Sequence, residues 1–524
     1  MENRRTFPQW ETTLMGPIHD KRGLEQGAVN SDRLYKLVNN SQLQEAQDSG
    51  MGIDLLGVSV ASIGQADDCA LISDSPFKLL CLLHLTMKYC ERQHVELVPE
   101  KTKLLVWTPK SKLNETYMLK LGCPISIDGK TINYSDFAEH VGVRRSVNGG
   151  NMPHIVDRIG AHTRALASIL HTGAARNHFA NPSSCLQLEK IYGSGVLFSG
   201  TASLVLSEKE VSSLSRHYRH TICKLQKLPI TAPSCVIFFL AGSLPAVAIL
   251  HLRILSLFGM IARSDPSSVL QQIGRKELLS EHCNKYSWFQ KVRTITQLYL
   301  LSDPLLLLQN PPTKESWKKT CRAKILDYWE LKFRAEAALL PSLKYFQPQF
   351  MSLSRPHPVW TLPENCYEVA KATIVAMMLS GRYNSDYHVR HWSRTNPTGY
   401  CQLCLASRYN DHDLNDDISL PPPLGTLEHM LLECMSLNEA RNKCISLWLD
   451  YTSDKFLLRD LFMIDGSCKP TTQFLLDPSS CSDVIRIAQE NGHGILNHLF
   501  YLTRTWCHSI HIRRLKLLKL FNII

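Results

Sequence analysis

Two groups of side chains in this sequence combine residue type and spacing in a way that does chemistry. Cys401-Gln402-Leu403-Cys404 puts two thiols on one turn. After 24 residues comes His429, and after four more Cys434. Three thiolates and an imidazole are the nitrogen and sulfur donors of a tetrahedral Zn²⁺ site. His412 and Cys444 are the replacements if one ligand of that set is another residue. The second group is Gln65-Ala66-Asp67-Asp68, set between the apolar runs Gly57–Ile63 and Cys69–Ile72. Carboxylates paired on a hairpin turn can hold two Mg²⁺ ions, which activate an attacking hydroxyl and stabilise a leaving pyrophosphate. Each group also has an ordinary reading: Asp pairs are common in solvated turns, and the cysteines are four residues in a cysteine-rich chain.

The surrounding pattern indicates which elements position them. Arg22–Ser31 carries Gly23 and Gly27, where a backbone can pass close to another strand or to a substrate, and a helix-like stretch follows. Pro76–Gln93 spaces Leu79, Leu82, Leu83, Leu85 and Met87 as an amphipathic helix packed on a sheet. His94–Trp107 reads as a lysine-bearing turn, with Lys101, running into a strand, and Tyr134–Val143 closes with an aromatic and apolar strand. Beyond Asn148 the chain reads as helices, with Ile155–Thr172 and Ser207–Leu225 apolar on one face. Arg216, His217, Arg219, His220, Lys224 and Lys227 form either a phosphate-tracking surface or a solvated helix face. Proline-bearing seams are expected at Pro304–Pro312 and Pro341–Pro358. Thr426–Cys434 has the pattern of a short helix, and the segment 508–524, with Arg513, Arg514, Lys516 and Lys519, packs as a basic amphipathic helix.

Taken in order, these blocks resemble the reverse transcriptase of non-LTR (LINE-type) retrotransposons. Gly23-Leu24-Glu25-Gln26-Gly27 is similar to that family's Gly-x-x-Gln-Gly block, and Gln65-Ala66-Asp67-Asp68 to its Tyr/Phe-Ala-Asp-Asp box, with Gln65 in place of the aromatic. Pro99-Glu100-Lys101-Thr102 resembles its lysine motif and Phe137–Val143 its primer-gripping strand. Glu428-His429-x-Leu-x-x-Cys434 resembles the zinc-knuckle-like segment that follows the polymerase. The resemblance implies catalytic roles for Asp67, Asp68 and Lys101. It implies template or nucleotide contacts for Gly23, Gln26, Gly27, Asn30 and Gln65, and Mg²⁺ on Asp67 and Asp68. Structural Zn²⁺ falls on Cys401, Cys404, His429 and Cys434, presenting Arg390, His391, Arg394 and Arg441 to RNA or DNA. The implied partners are an RNA template and a DNA primer, or their hybrid.

The family's first catalytic aspartate belongs to a Phe-x-x-x-Phe/Tyr-Asp strand well before the Gly-x-x-Gln-Gly block, and here only Met1–Arg22 precede that block. Asp20 and Glu11 lie in no apolar strand pattern. The expectation is a chain derived from an RNA-directed DNA polymerase that does not polymerise alone, or a non-catalytic nucleic-acid-binding remnant with a zinc module.

The expected fold is α+β: a partial palm over residues 1–147, made of a β-hairpin plus helices, then a mostly helical thumb and helical region over 148–342. A linker and connecting helix (343–390), a zinc-knuckle-like module (391–450) and a helical tail (451–524) follow. A charge of +11 on 524 residues is a modest basic surplus, and it favours polyanions without selecting one. Seventeen cysteines, an odd number, with no apolar leader after Met1 point to reduced thiols in an intracellular protein, nuclear or cytoplasmic. Cys235–Leu250 is apolar but interrupted by Gly242 and Pro245, so it reads as buried core rather than a membrane span.

Overall fold

The computed structural model describes residues 4–6, 9–10, 13–14, 18–20, 31–65, 68–107, 125–147, 150–171, 181–280, 287–391, 394–410, 421–453, 463–464, 467–468, 471–491 and 494–523. It is mixed α and β and mostly helical, and every sheet among these residues is a pair of short antiparallel strands. Asp20 ends one of them, paired with Arg4.

The hairpin expected around the carboxylates is present. Ser62–Gln65 pairs with Asp68–Leu71, so that Gln65 lies opposite Asp68. Two helices cover one face of it. Ser31–Asp48 crosses the first strand at Gly64, where a Cβ would sit 3.0 Å from the Leu43 side chain, so a glycine is what lets the helix lie so close. Pro76–Gln93 starts as its sequence requires: the Ser75 side chain accepts from Lys78 N–H, and Pro76 occupies a first-turn position where no N–H is needed. Gln42 Nε2 donates to Thr86 Oγ1 at 3.0 Å between the two helices.

The cores beneath this unit are small. One gathers Leu83, Ile125, Ile127 and Ile132, the other Ala46, Ala61 and Leu82. Where the sequence suggested a strand after Lys101, the described residues show only an isolated bridge between Leu104 and Tyr134. The second expected strand is a hairpin, Phe137–His140 with Val143–Ser146. Val141 and Gly142 both have positive φ, which matches the right-handed twist of the flanking strands.

From Val143 to Leu518 one continuous apolar core holds the helices together. Glu208–Leu225 opens with a reciprocal capping box between Ser207 and Glu210. The apolar segment at 235–250 becomes two helices, Ser234–Ala241 and Ala246–Ala262, bent by 60°. Every residue from Cys235 to Ala241 is buried, as the sequence led us to expect. No single described helix is long and apolar enough to cross a membrane.

The proline seams take a different form from the one expected. Pro304 begins a short helix capped by Asp303, with Leu307 and Leu308 buried, and Leu343, Phe346, Met351 and Leu353 of the second seam belong to the large core. Proline at a first helical position starts an element as readily as proline elsewhere ends one. The helix Cys366–Leu379 lies against the long C-terminal helix Gly494–Leu520, where Lys371 Nζ donates to Glu368 at 2.8 Å and to Thr505 at 3.0 Å.

Candidate metal centre

Cys401 precedes the helix Gln402–Asn410, and its N–H donates to Pro423 O at 2.8 Å. Cys404 sits in the first turn of that helix, so the x₂ spacing turns both sulfurs to one side. His429 and Cys434 are five residues apart, one more than an α-turn brings together. A π-turn over His429–Glu433 supplies the difference, closed by Cys434 N–H donating to His429 O at 2.7 Å.

The two pieces meet. Cys404 Sγ is 3.7 Å from Cys434 Sγ and 3.3 Å from His429 Nε2, and Cys401 Sγ is 3.9 Å from Cys434 Sγ. All four ligand atoms lie within 4.8 Å of one another. With Zn–S near 2.3 Å and Zn–N near 2.0 Å, a tetrahedral site has ligand edges of about 3.8 Å between sulfurs and about 3.6 Å from sulfur to nitrogen. The set therefore fits a tetrahedral metal ion, and with four protein donors it leaves no position open for a substrate.

The protonation pattern agrees with a site built for a cation. Hydrogen bonds from Cys401 and Cys404 hold the Cys434 thiol well below its usual range, while hydrogen bonding to Cys401 and then Cys434 pushes Cys404 up. Burial disfavours imidazolium at His429, but hydrogen bonding to Cys401 and the Glu433 carboxylate outweighs it, so the ring is held above its ordinary value. A divalent ion binding the deprotonated sulfurs and the neutral imidazole releases the protons that Cys404 and His429 otherwise hold.

The sequence reading missed the residues that hold the ligands. Glu433 Oε2 lies 3.5 Å from His429 Nδ1, the carboxylate placement that orients a metal-bound imidazole. Its signal was available in the sequence as His-x₃-Glu on one turn. Arg441, expected to face nucleic acid, is buried instead. Its Nε donates to Leu431 O at 3.2 Å and its Nη2 to Cys434 O at 3.0 Å, on the carbonyls that the π-turn frees. Asp386 takes Gln402 N–H at 3.2 Å and Arg514 Nη2 at 2.8 Å, so the cysteine turn is tied to the C-terminal helix. Trp506 Nε1 adds a donation to Leu431 O at 3.3 Å. A small cavity bordered by Asp386, Cys401, His429 and Arg514 lies beside the ligands. Of the other cations expected at this surface, Arg390 stacks on Tyr387, with its guanidinium carbon 3.5 Å from the ring centre, while His391 and Arg394 are exposed. Cys444 is buried outside the cluster, and His412 lies outside the described residues.

The carboxylate turn is a different kind of site. Asp68 is exposed on its strand and belongs to no metal-sized group of three ligands among the described residues. Gln65 is half of the closing pair, and Lys101 is exposed on its turn. Gly23, Gln26, Gly27, Asn30 and Asp67 lie outside the described residues.

On the helix Glu208–Leu225 and the turn after it, Arg216, His220, Lys224 and Lys227 are exposed at nearly one-turn spacing. The other two cations of that cluster are engaged in packing. Arg219 donates to Ser234 Oγ at 3.0 Å and to the carbonyls of Ile230 and Ala232. His217 Nε2 is 2.8 Å from Nδ1 of the wholly buried His162, and burial followed by the nearby His162 and His220 pushes its pKa down to about 4. No protein-family model matches the chain, and no curated protein matches it either.

Proposed function

We propose that this chain is a nucleic-acid-binding protein derived from the reverse transcriptase of a non-LTR retrotransposon, built around a structural Zn²⁺ site and not competent for polymerisation alone. The observation that carries the reading is the ordered set of sequence blocks, whose catalytic box falls on a tight hairpin with Gln65 opposite Asp68. The closed Cys401, Cys404, His429 and Cys434 cluster supports it from the other end of the chain. In this reading residues 1–147 are a partial palm, the helices after Asn148 are thumb and connecting region, and Zn²⁺ cross-links the C-terminal segments.

The bound metal supplies folding free energy rather than chemistry. This chain's own residues do the rest. Glu433 orients His429, Arg441 brings a positive charge to a centre whose three thiolates leave it net negative, and Asp386 with Arg514 fixes the cysteine turn. At the hairpin, Asp67 and Asp68 are the Mg²⁺ ligands of the inherited polymerase. Two carboxylates by themselves carry too little negative charge to hold metal ions against phosphate repulsion.

Two measurements test this. Metal analysis of purified protein is expected to return one zinc per chain, lost in Cys401→Ser. Primer extension on an RNA template with Mg²⁺ is expected to yield no product. Template-dependent synthesis abolished by Asp68→Ala would replace this reading with that of a working polymerase.

A further inference from the structure

The longest helix of the middle region, Lys314–Ala338, buries Trp317, Cys321, Ile325, Trp329, Phe333 and Ala337, one residue every four. This row fastens it to the large core. Beside it runs a second row at the same spacing, Lys314, Lys318 and Arg322, with Lys319 and Lys324 also exposed on the same turns. None of these five cations makes an ion pair with a described residue.

The arrangement is costly for the helix itself. Like charges four residues apart repel across one turn. Lys314 also lies in the first turn, where the helix dipole favours anions. Only Glu315 in the first turn compensates. Buried aromatic anchors hold the helix in spite of this, so the cations are free to meet a partner that supplies the missing negative charge.

We infer that the row Lys314, Lys318 and Arg322 is a docking surface for the phosphate backbone of a nucleic acid, distinct from the basic stripe at Arg216–Lys227. It deepens the nucleic-acid-binding reading and rests on it. Steps of four residues separate the cations by about 6 Å along the axis, so the row covers about 12 Å. One strand of a duplex presents three to four phosphates over about that length. An anionic membrane fits less well. Glu315, Ser316, Thr320 and Ala323 are the other exposed residues on these turns, so no large apolar side chain is free to enter the lipid, and the helix's apolar face is already spent on the core.

The test is the salt dependence of binding of a short RNA–DNA hybrid by the full chain and by Lys314→Gln/Lys318→Gln/Arg322→Gln. Removing three phosphate contacts lowers the slope of log K against log[salt] by about 2.7. Over a fourfold rise in salt the variant therefore loses about 40-fold less affinity than the parent. A control neutralising the exposed Lys88, Lys190 and Lys209 changes net charge equally, and its slope stays with the parent. The triple variant relieves repulsion, so its melting temperature is expected to hold or rise, which separates lost contacts from lost folding. Equal slopes in variant and parent, or an equal fall in the control, would overturn this surface and leave the functional reading standing. Lost binding to phosphatidylserine vesicles with hybrid binding unchanged would also overturn it. A parent chain that binds no hybrid at all would instead remove the functional reading beneath it.

Discussion

The hairpin turn at Asp68 and the cluster at Cys401 are both sets of potential metal ligands, yet they are held in opposite ways. Asp68 is exposed, and the nearest cores are groups of three and four small or aliphatic residues. The Cys and His ligands sit inside the largest core of the molecule, where Cys434 is wholly buried and Cys401 is 5% exposed. Burial makes unpaired thiolates costly, so the surroundings of the second site have been recruited to serve it. Glu433, Arg441, Asp386 and Trp506 all point at its backbone or ligands, and Arg514 holds Asp386 in place. The carboxylate turn has no comparable shell among the described residues. A ligand set embedded in a core is part of the folding problem, whereas one on a surface turn can lose its function and leave the fold unaffected.

Substitutions should separate the two sites by size of effect. Cys434→Ser is expected to abolish stoichiometric zinc and to destabilise the C-terminal helices by about 3 kcal/mol or more; denaturation monitored alongside metal content checks both, and an unchanged midpoint would end the comparison. Arg441→Leu removes one of two donors from each of the Leu431 and Cys434 carbonyls, which keep Trp506 Nε1 and Leu437 N–H, at a cost of about 2 kcal/mol, readable as a shift in the urea midpoint. Gly64→Val crowds Leu43 and should cost about 1–2 kcal/mol; because the hairpin unit has its own small cores, hydrogen exchange should rise there and stay level in Gly494–Leu520. Glu433→Gln keeps the fold but should weaken zinc binding about 10-fold, seen in competition with a chelator. Asp68→Asn should change stability by less than about 0.5 kcal/mol. A loss as large as that of Cys434→Ser would mean the turn is structural after all.

Parts of both sites were legible from spacing. The x₂ separation of Cys401 and Cys404 and the run over Pro76–Gln93 are local patterns that local geometry carries into the structure, whereas the apolar run Gly57–Ile63 divides, Ser59–Val60 pairing with Ile53–Asp54 and the hairpin strand forming at Ser62–Gln65. The helix Glu208–Leu225 is likewise announced by Ser207 and Glu210. Arg441 was misread because a basic residue beside a zinc motif looks the same in sequence whether it faces solvent or caps the carbonyls of a π-turn. His217 and Arg219 were misread for the same reason, since their partners His162, Ile230 and Ala232 come from other elements.

The sequence by itself determined the donor chemistry: which residues can hold a soft metal, which carboxylates sit on a hairpin, and where helices begin. Only the tertiary structure decided that the cysteine and histidine pieces meet within one coordination sphere, that Asp386 and Arg514 join across 128 positions, and that the proline seams lie in the core. The division has a physical cause. Turn geometry and helix periodicity act over a few residues, whereas burial and the pairing of charges depend on elements whose meeting no local pattern records.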